Sequence, residues 1–73
     1  MTPEEIAALF RYKPPTEETI PKFKEITDAA IVFAQTVDRV CPASADRTAA
    51  IRLIQEARMT ANQSIANGGA SYR

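Results

Sequence analysis

Six apolar residues, Phe23, Ile26, Ala30, Phe33, Val37 and Val40, recur at spacings of 3, 4, 3, 4 and 3. That periodicity is the seam of an amphipathic helix built to pack against another helix. Ile20, Ile31, Ala34 and Cys41 form a second band beside it, wider than one partner helix covers. Cys41-Pro42-Ala43-Ser44 closes the pattern, because Pro42 cannot continue it and disfavours helical geometry at Cys41. Ser44 or Asp46 caps a further helix running from Ala45 to about Asn67. It is rich in strong helix formers and ends at Gly68-Gly69, suited to a left-handed C-cap. Its inner face reads Ala50, Ile54, Ala57, Ala61 and Ile65, with Leu53 and Met59 alongside, and the alanines allow close approach. A connection of about four residues forces the two helices antiparallel.

Ahead of this hairpin, Thr2-Pro3-Glu4-Glu5 spells a helix start, with Thr2 as N-cap, Pro3 at the first helical position and Glu5 placed for a capping box. The helix covers about residues 3–10. It is too short to stand alone, so the expectation is that it docks through Ile6, Leu9 and Phe10. The run Phe10-Arg11-Tyr12-Lys13-Pro14-Pro15-Thr16 follows; two prolines hold the preceding backbone extended, making residues 11–15 a stiff strut. The second helix starts between Thr16 and Thr19, giving about 17–41. Pro21 is harmless if Thr19 caps and kinks the helix slightly if Thr16 does. The reading is a single all-α domain over 1–73: a short N-terminal helix, a long antiparallel helical hairpin with its third helix at about 45–67, and a tail at 68–73.

Size then matters. A domain of 73 residues buries only about 60% of what its unfolded chain exposes, and needs a staple or a neighbour. One cysteine, Cys41, and no histidine exclude an internal disulfide and a credible zinc set, so assembly into a homo-oligomer is the expectation. A two-helix rod has no interior, and both helices carry apolar residues on more than one stripe. Nine basic against nine acidic residues argue against coating DNA. No run suits a membrane span, and the acidic, short start is unlike a signal peptide, which together read as a reducing cytoplasm. Without histidine, a glycine-rich phosphate loop or a nucleophile elbow, the pattern offers no catalytic residue, no metal ligands and no cofactor site. Cys41 reads as a small hydrophobe.

Tyr12 lies outside both periodic patterns, between Arg11 and Lys13. Its ring either packs over the end of the helix pair or stacks on a nucleobase while nearby cations meet phosphate. Lys22 and Lys24, with Lys13, gather every lysine within twelve positions, although Glu17, Glu18, Glu25 and Asp28 intervene. Lys24 and Asp28 stand at i and i+4, so a surface ion pair is the plain alternative to a phosphate contact. Thr27 either donates a hydrogen bond or is an ordinary surface residue. Arg47, near a helix start, is opposed by the dipole; either an anion holds it or Asp46 does. Arg58 and Asn62 lie one turn apart. Asn62 is a poor helix former whose amide suits a neighbouring chain or a ligand.

These pieces resemble the bacteriophage anti-CBASS cyclic-nucleotide sponges, whose hairpin domain also occurs in one class of anti-Thoeris sponges. The resemblance rests on Tyr12 with Pro14-Pro15-Thr16, on Ser44-Ala45-Asp46-Arg47-Thr48-Ala49-Ala50-Ile51, and on Glu56-Ala57-Arg58-Met59-Thr60-Ala61-Asn62 with Ile65-Ala66. It implies a non-enzymatic immune-evasion protein, a homohexamer in the cytoplasm of the infected bacterial host. Such a protein sequesters cyclic dinucleotide and cyclic trinucleotide messengers. It implies a cyclic-dinucleotide pocket between two protomers, with Tyr12 stacking and Arg11, Lys13 and Pro14 beside it. Lys24 or Thr27 would stand at the phosphate contact, and Arg58 and Asn62 at a separate trinucleotide pocket. The alternative from the residues alone is a helical oligomerisation or protein-interaction module.

Overall fold

The computed structural model describes residues 1–68 and contains three helices, α1 (Pro3–Phe10), α2 (Ile20–Val40) and α3 (Ala45–Ala66). Among the described residues there is no strand. Gly69 and the tail beyond it lie outside the described residues.

Helix α1 begins as its sequence dictates. The Glu5 backbone N–H donates to the Thr2 hydroxyl at 3.1 Å, and the Thr2 N–H donates back to the Glu5 carboxylate at 2.9 Å. The two orphan donors of the first turn are thereby satisfied reciprocally. Hydrogen bonds from the Thr2 backbone and hydroxyl hold the Glu5 carboxyl below its usual range.

Helix α2 starts at Ile20, three residues later than its composition suggests, because two threonines clasp each other instead. The Thr16 N–H donates to the Thr19 hydroxyl at 2.8 Å, the Thr19 N–H to the Thr16 hydroxyl at 3.2 Å, and the Ile20 N–H to the Thr16 carbonyl at 2.9 Å. Residues 17–19 are therefore a turn, and Thr19 is the N-cap without a side-chain bond into the helix. Pro21 falls in the first turn, where no intrahelical N–H is missed. Cys41 leaves the helix with φ −84° and ψ 138°, the extended conformation that Pro42 requires of its predecessor.

Ser44 caps α3, its hydroxyl accepting the Arg47 N–H at 3.1 Å. Gly68, at φ 60°, supplies the left-handed residue just past the C-cap Asn67 and donates to the Ile65 carbonyl at 3.1 Å.

Arg47 is held across the turn and not by Asp46. Its guanidinium crosses the turn, donating to the carbonyls of Asp38 at 3.2 Å and Cys41 at 3.4 Å, with the Asp38 carboxylate 3.8 Å away. A cation placed where α2's last carbonyls converge complements that helix's dipole, and this outweighs its poor position on its own helix. Because the side chain is only 28% exposed, Arg47→Ala should lower stability by about 1–2 kcal/mol, read as a fall in the thermal midpoint. An unchanged melt would mean the clasp is solvated and idle.

Helices α2 and α3 pack on each other; no Cα of α1 comes within 8 Å of either. Of the expected docking through Ile6, Leu9 and Phe10, the chain by itself makes only the part at Leu9. Leu9 is half-buried, but Ile6 is exposed and Phe10 is 85% exposed. The Pro14-Pro15 strut explains this, since it holds α1 off the hairpin instead of folding it back. Ile54 is the one buried hydrophobic residue among those described. A compact monomer of 8.0 kDa exposes about 4,400 Å², whereas this chain exposes 5893 Å² and measures 46 × 28 × 19 Å. Helical stripes this apolar and this uncovered leave the fold without an interior of its own.

Candidate functional site

The gap between α1 and the hairpin is a cleft of about 370 Å³. One wall is Leu9 and the strut residues Arg11, Tyr12 and Lys13. The other is Phe23 from α2 with Met59, Asn62, Gln63 and Ala66 from α3, and Asn67 just beyond. The strut keeps its shape through local bonds: the Arg11 N–H and the Lys13 ammonium both donate to the Ala8 carbonyl, at 3.4 and 3.2 Å. Lys13 thus caps the C-terminal end of α1 while keeping its charge at the cleft. The Tyr12 ring is 84% exposed, so within one chain it packs against almost nothing.

Asn62 faces this strut across the cleft. Its Oδ1 is buried and accepts no hydrogen bond among the described residues. A sealed amide oxygen without a donor costs about 1–3 kcal/mol. The cleft offers one free aromatic face and two cations, a set suited to a flat polar ring carrying negative charge.

The other candidates fall elsewhere. Pro14, Lys24 and Thr27 do not line the cleft. Lys24 is paired with Asp28 one turn on, and the hydrogen bond from its ammonium to that carboxylate raises the lysine's pKa. Both side chains are more than half exposed, so the pair is weak and the lysine remains available to a competing anion. Lys22 is similarly matched with Glu18 at 3.6 Å. Thr27 is half-buried on the same helix. Arg58 and Asn62, one turn apart in sequence, separate: Arg58 lines a second, larger groove of about 530 Å³ with Ile26, Phe33, Leu53, Ala57 and other apolar residues.

Gln63 and Asn67 are cleft residues that sequence reasoning did not single out. With Asn62 and Ala66 they occupy i, i+1, i+4 and i+5, one face of the last turns of α3, and that polar and small clustering was the available signal. Among the described residues no group of acidic, cysteine or histidine side chains could hold a metal ion, and no helix is long and apolar enough to cross a membrane.

No curated protein and no solved structure matches the chain significantly. A family model described as "Acb2/Tad1, hairpin domain" matches residues 2–66. That span takes in the capping box, the strut with its free tyrosine and both long helices, so the chain belongs to the Acb2/Tad1 hairpin-domain family, a family of binding modules that implies a phage anti-defence sponge.

Proposed function

We propose that this chain assembles into a homo-oligomer, a hexamer in the manner its resemblance implies. In the infected bacterial cell it would capture cyclic dinucleotides, and cyclic trinucleotides at a second position, and so starve CBASS effectors of their messenger. The observation that carries the reading is the cleft in which an unpacked Tyr12 stands between two cations and opposite the unsatisfied Asn62 amide.

A cyclic dinucleotide has two bases and two phosphates related by a near twofold axis. Two copies of this chain, each giving one Tyr12 ring and its neighbouring charges, match that symmetry. In this reading Tyr12 stacks on a base and Arg11 and Lys13 meet phosphate. Pro14 fixes the strut, and Lys24 exchanges Asp28 for a phosphate near Thr27. Asn62 offers its amide to a base edge or to a trinucleotide, and Arg58 serves the second position. Capture needs affinity and no turnover, and two phosphates need only local cations, so zero net charge is no obstacle.

Calorimetry of the folded protein against a panel of cyclic dinucleotides, cyclic trinucleotides and a linear dinucleotide tests this. Heat from at least one cyclic ligand, with little from the linear one, is the expected result. A folded assembly that gives no heat with any cyclic ligand overturns the reading and leaves an oligomerisation module in its place.

A further inference from the structure

We infer that the outer face of α3 is a self-recognition surface. Ala45, Ala49, Arg52, Glu56, Met59 and Gln63 of one copy pair antiparallel with the same six residues of a second copy, about a twofold axis level with Ile54. The inference rests on the self-association proposed above and specifies one surface that makes it.

Three observations converge. The first is the stripe. Those six residues recur at spacings of 4, 3, 4, 3 and 4, a second heptad seam on the same helix. At about 100° per residue they fall within about 80° of arc and run about 27 Å along the axis. The inner face of Ala50, Ile54, Ala61 and Ile65 lies roughly 170° away around the helix, so α2 leaves the stripe uncovered. All six residues are exposed.

The second is self-complementarity. An antiparallel seam with its axis at Ile54 sets residue 45 opposite 63, 49 opposite 59 and 52 opposite 56. Arg52 then meets Glu56 of the second copy, and the symmetry makes that pair twice. Ala49 meets Met59 in the same way, small against large. Over Ala45 and Ala49, walled by Thr48, Arg52, Leu53 and Glu56, lies a hollow of about 440 Å³. Met59, 55% exposed, is the side chain that the second copy brings to it. A parallel pairing in register would set like charge on like at both Arg52 and Glu56, which selects the antiparallel arrangement.

The third is that these charges are unspent. Arg52 and Glu56 stand one turn apart, yet neither takes part in an ion pair among the described residues. The same spacing does close at Glu18–Lys22 and Lys24–Asp28. Both members are therefore left for another chain, and one patch carries both signs, as an interface between identical copies requires. Met59 and Gln63 also line the cleft, so the pairing brings Ala49 and Ala45 of the second copy to the cleft's edge.

The test reads assembly separately from ligand binding. Arg52→Glu gathers four acids around the axis and Glu56→Arg four bases. In sedimentation each should need roughly a hundredfold more protein to assemble than wild type, with the helical signal kept because both positions are exposed. Mixed in equal amounts, the two variants set acid against base at both central layers and should assemble near the wild-type concentration, a rescue that bonds within one helix cannot give. In a Cys41→Ala background, Ala49→Cys with Met59→Cys should oxidise to a disulfide between two chains on a non-reducing gel, whereas Ala49→Cys alone should not. Within one helix those positions are about 15 Å apart, too far to bridge. Single variants that assemble as wild type overturn the inference. So does a mixture that stays apart, a wild type that sediments as a monomer, a disulfide from Ala49→Cys alone, or a cross-link to a foreign protein alone. A wild type that pairs through α3 and gives no heat with cyclic nucleotides instead overturns the function and leaves the pair standing.

Discussion

Replacing Tyr12 with alanine is expected to leave a helical, assembled protein that no longer holds cyclic dinucleotides. Stacking on an aromatic ring is worth roughly 1–3 kcal/mol per base. A ligand with both bases stacked on symmetry-related rings loses that twice, so Kd should rise from about 30-fold to more than 10⁴-fold in calorimetry. Helicity should survive because the ring is 84% exposed and lies outside every helix. Tyr12→Phe, which keeps the ring, should keep most of the affinity. If Tyr12→Ala instead dissolves the assembly, the ring is a packing residue; if it binds like wild type, the cleft is not the nucleotide site.

The second large effect concerns Ile54. It is the one buried hydrophobic residue among those described, at 9% exposure, and it sits where α3 meets α2. Truncating a buried isoleucine to alanine costs about 2–5 kcal/mol. The total stability of a domain this size is of the same order, at about 0.05–0.15 kcal/mol per residue. Ile54→Ala should therefore lower the thermal midpoint, followed by far-ultraviolet circular dichroism, by at least roughly 10 °C. Val32→Ala, at a residue 62% exposed and outside both grooves, is the matched control and should stay within a few degrees. Equal melts for the two variants would mean that the hairpin is held by something other than its seam.

The helices were legible because their signals are local. A capping box needs four consecutive residues, a 3.6 period needs one stretch, and Pro42 announces a break within two positions. What local pattern does not contain is the identity of the covering surface. Ile6, Leu9 and Phe10 mark an apolar edge correctly, yet the pattern is silent on whether that edge meets its own hairpin, and the stiffness of Pro14-Pro15 decides that it does so only at Leu9. The partners of Arg47 escape local pattern for a similar reason: they are nine and six residues back, across a turn whose geometry places two carbonyls within reach. Of the candidate site, Arg11, Tyr12 and Lys13 share a cleft as their adjacency suggests, but Asn62 joins them only through the antiparallel return of α3. That same return sends Arg58, one turn earlier, to a different face.

The turn at Pro42 has a bearing on timing. Every contact between α2 and α3 nests around a connection of a few residues, so the pair can zip outward from it without closing a long loop, and helical topologies of this sort fold in microseconds to milliseconds. Translation of 73 residues takes roughly 4 to 15 s at bacterial and slower ribosome speeds. Ribosome throughput, and not the folding of the hairpin, therefore governs how soon a folded chain exists.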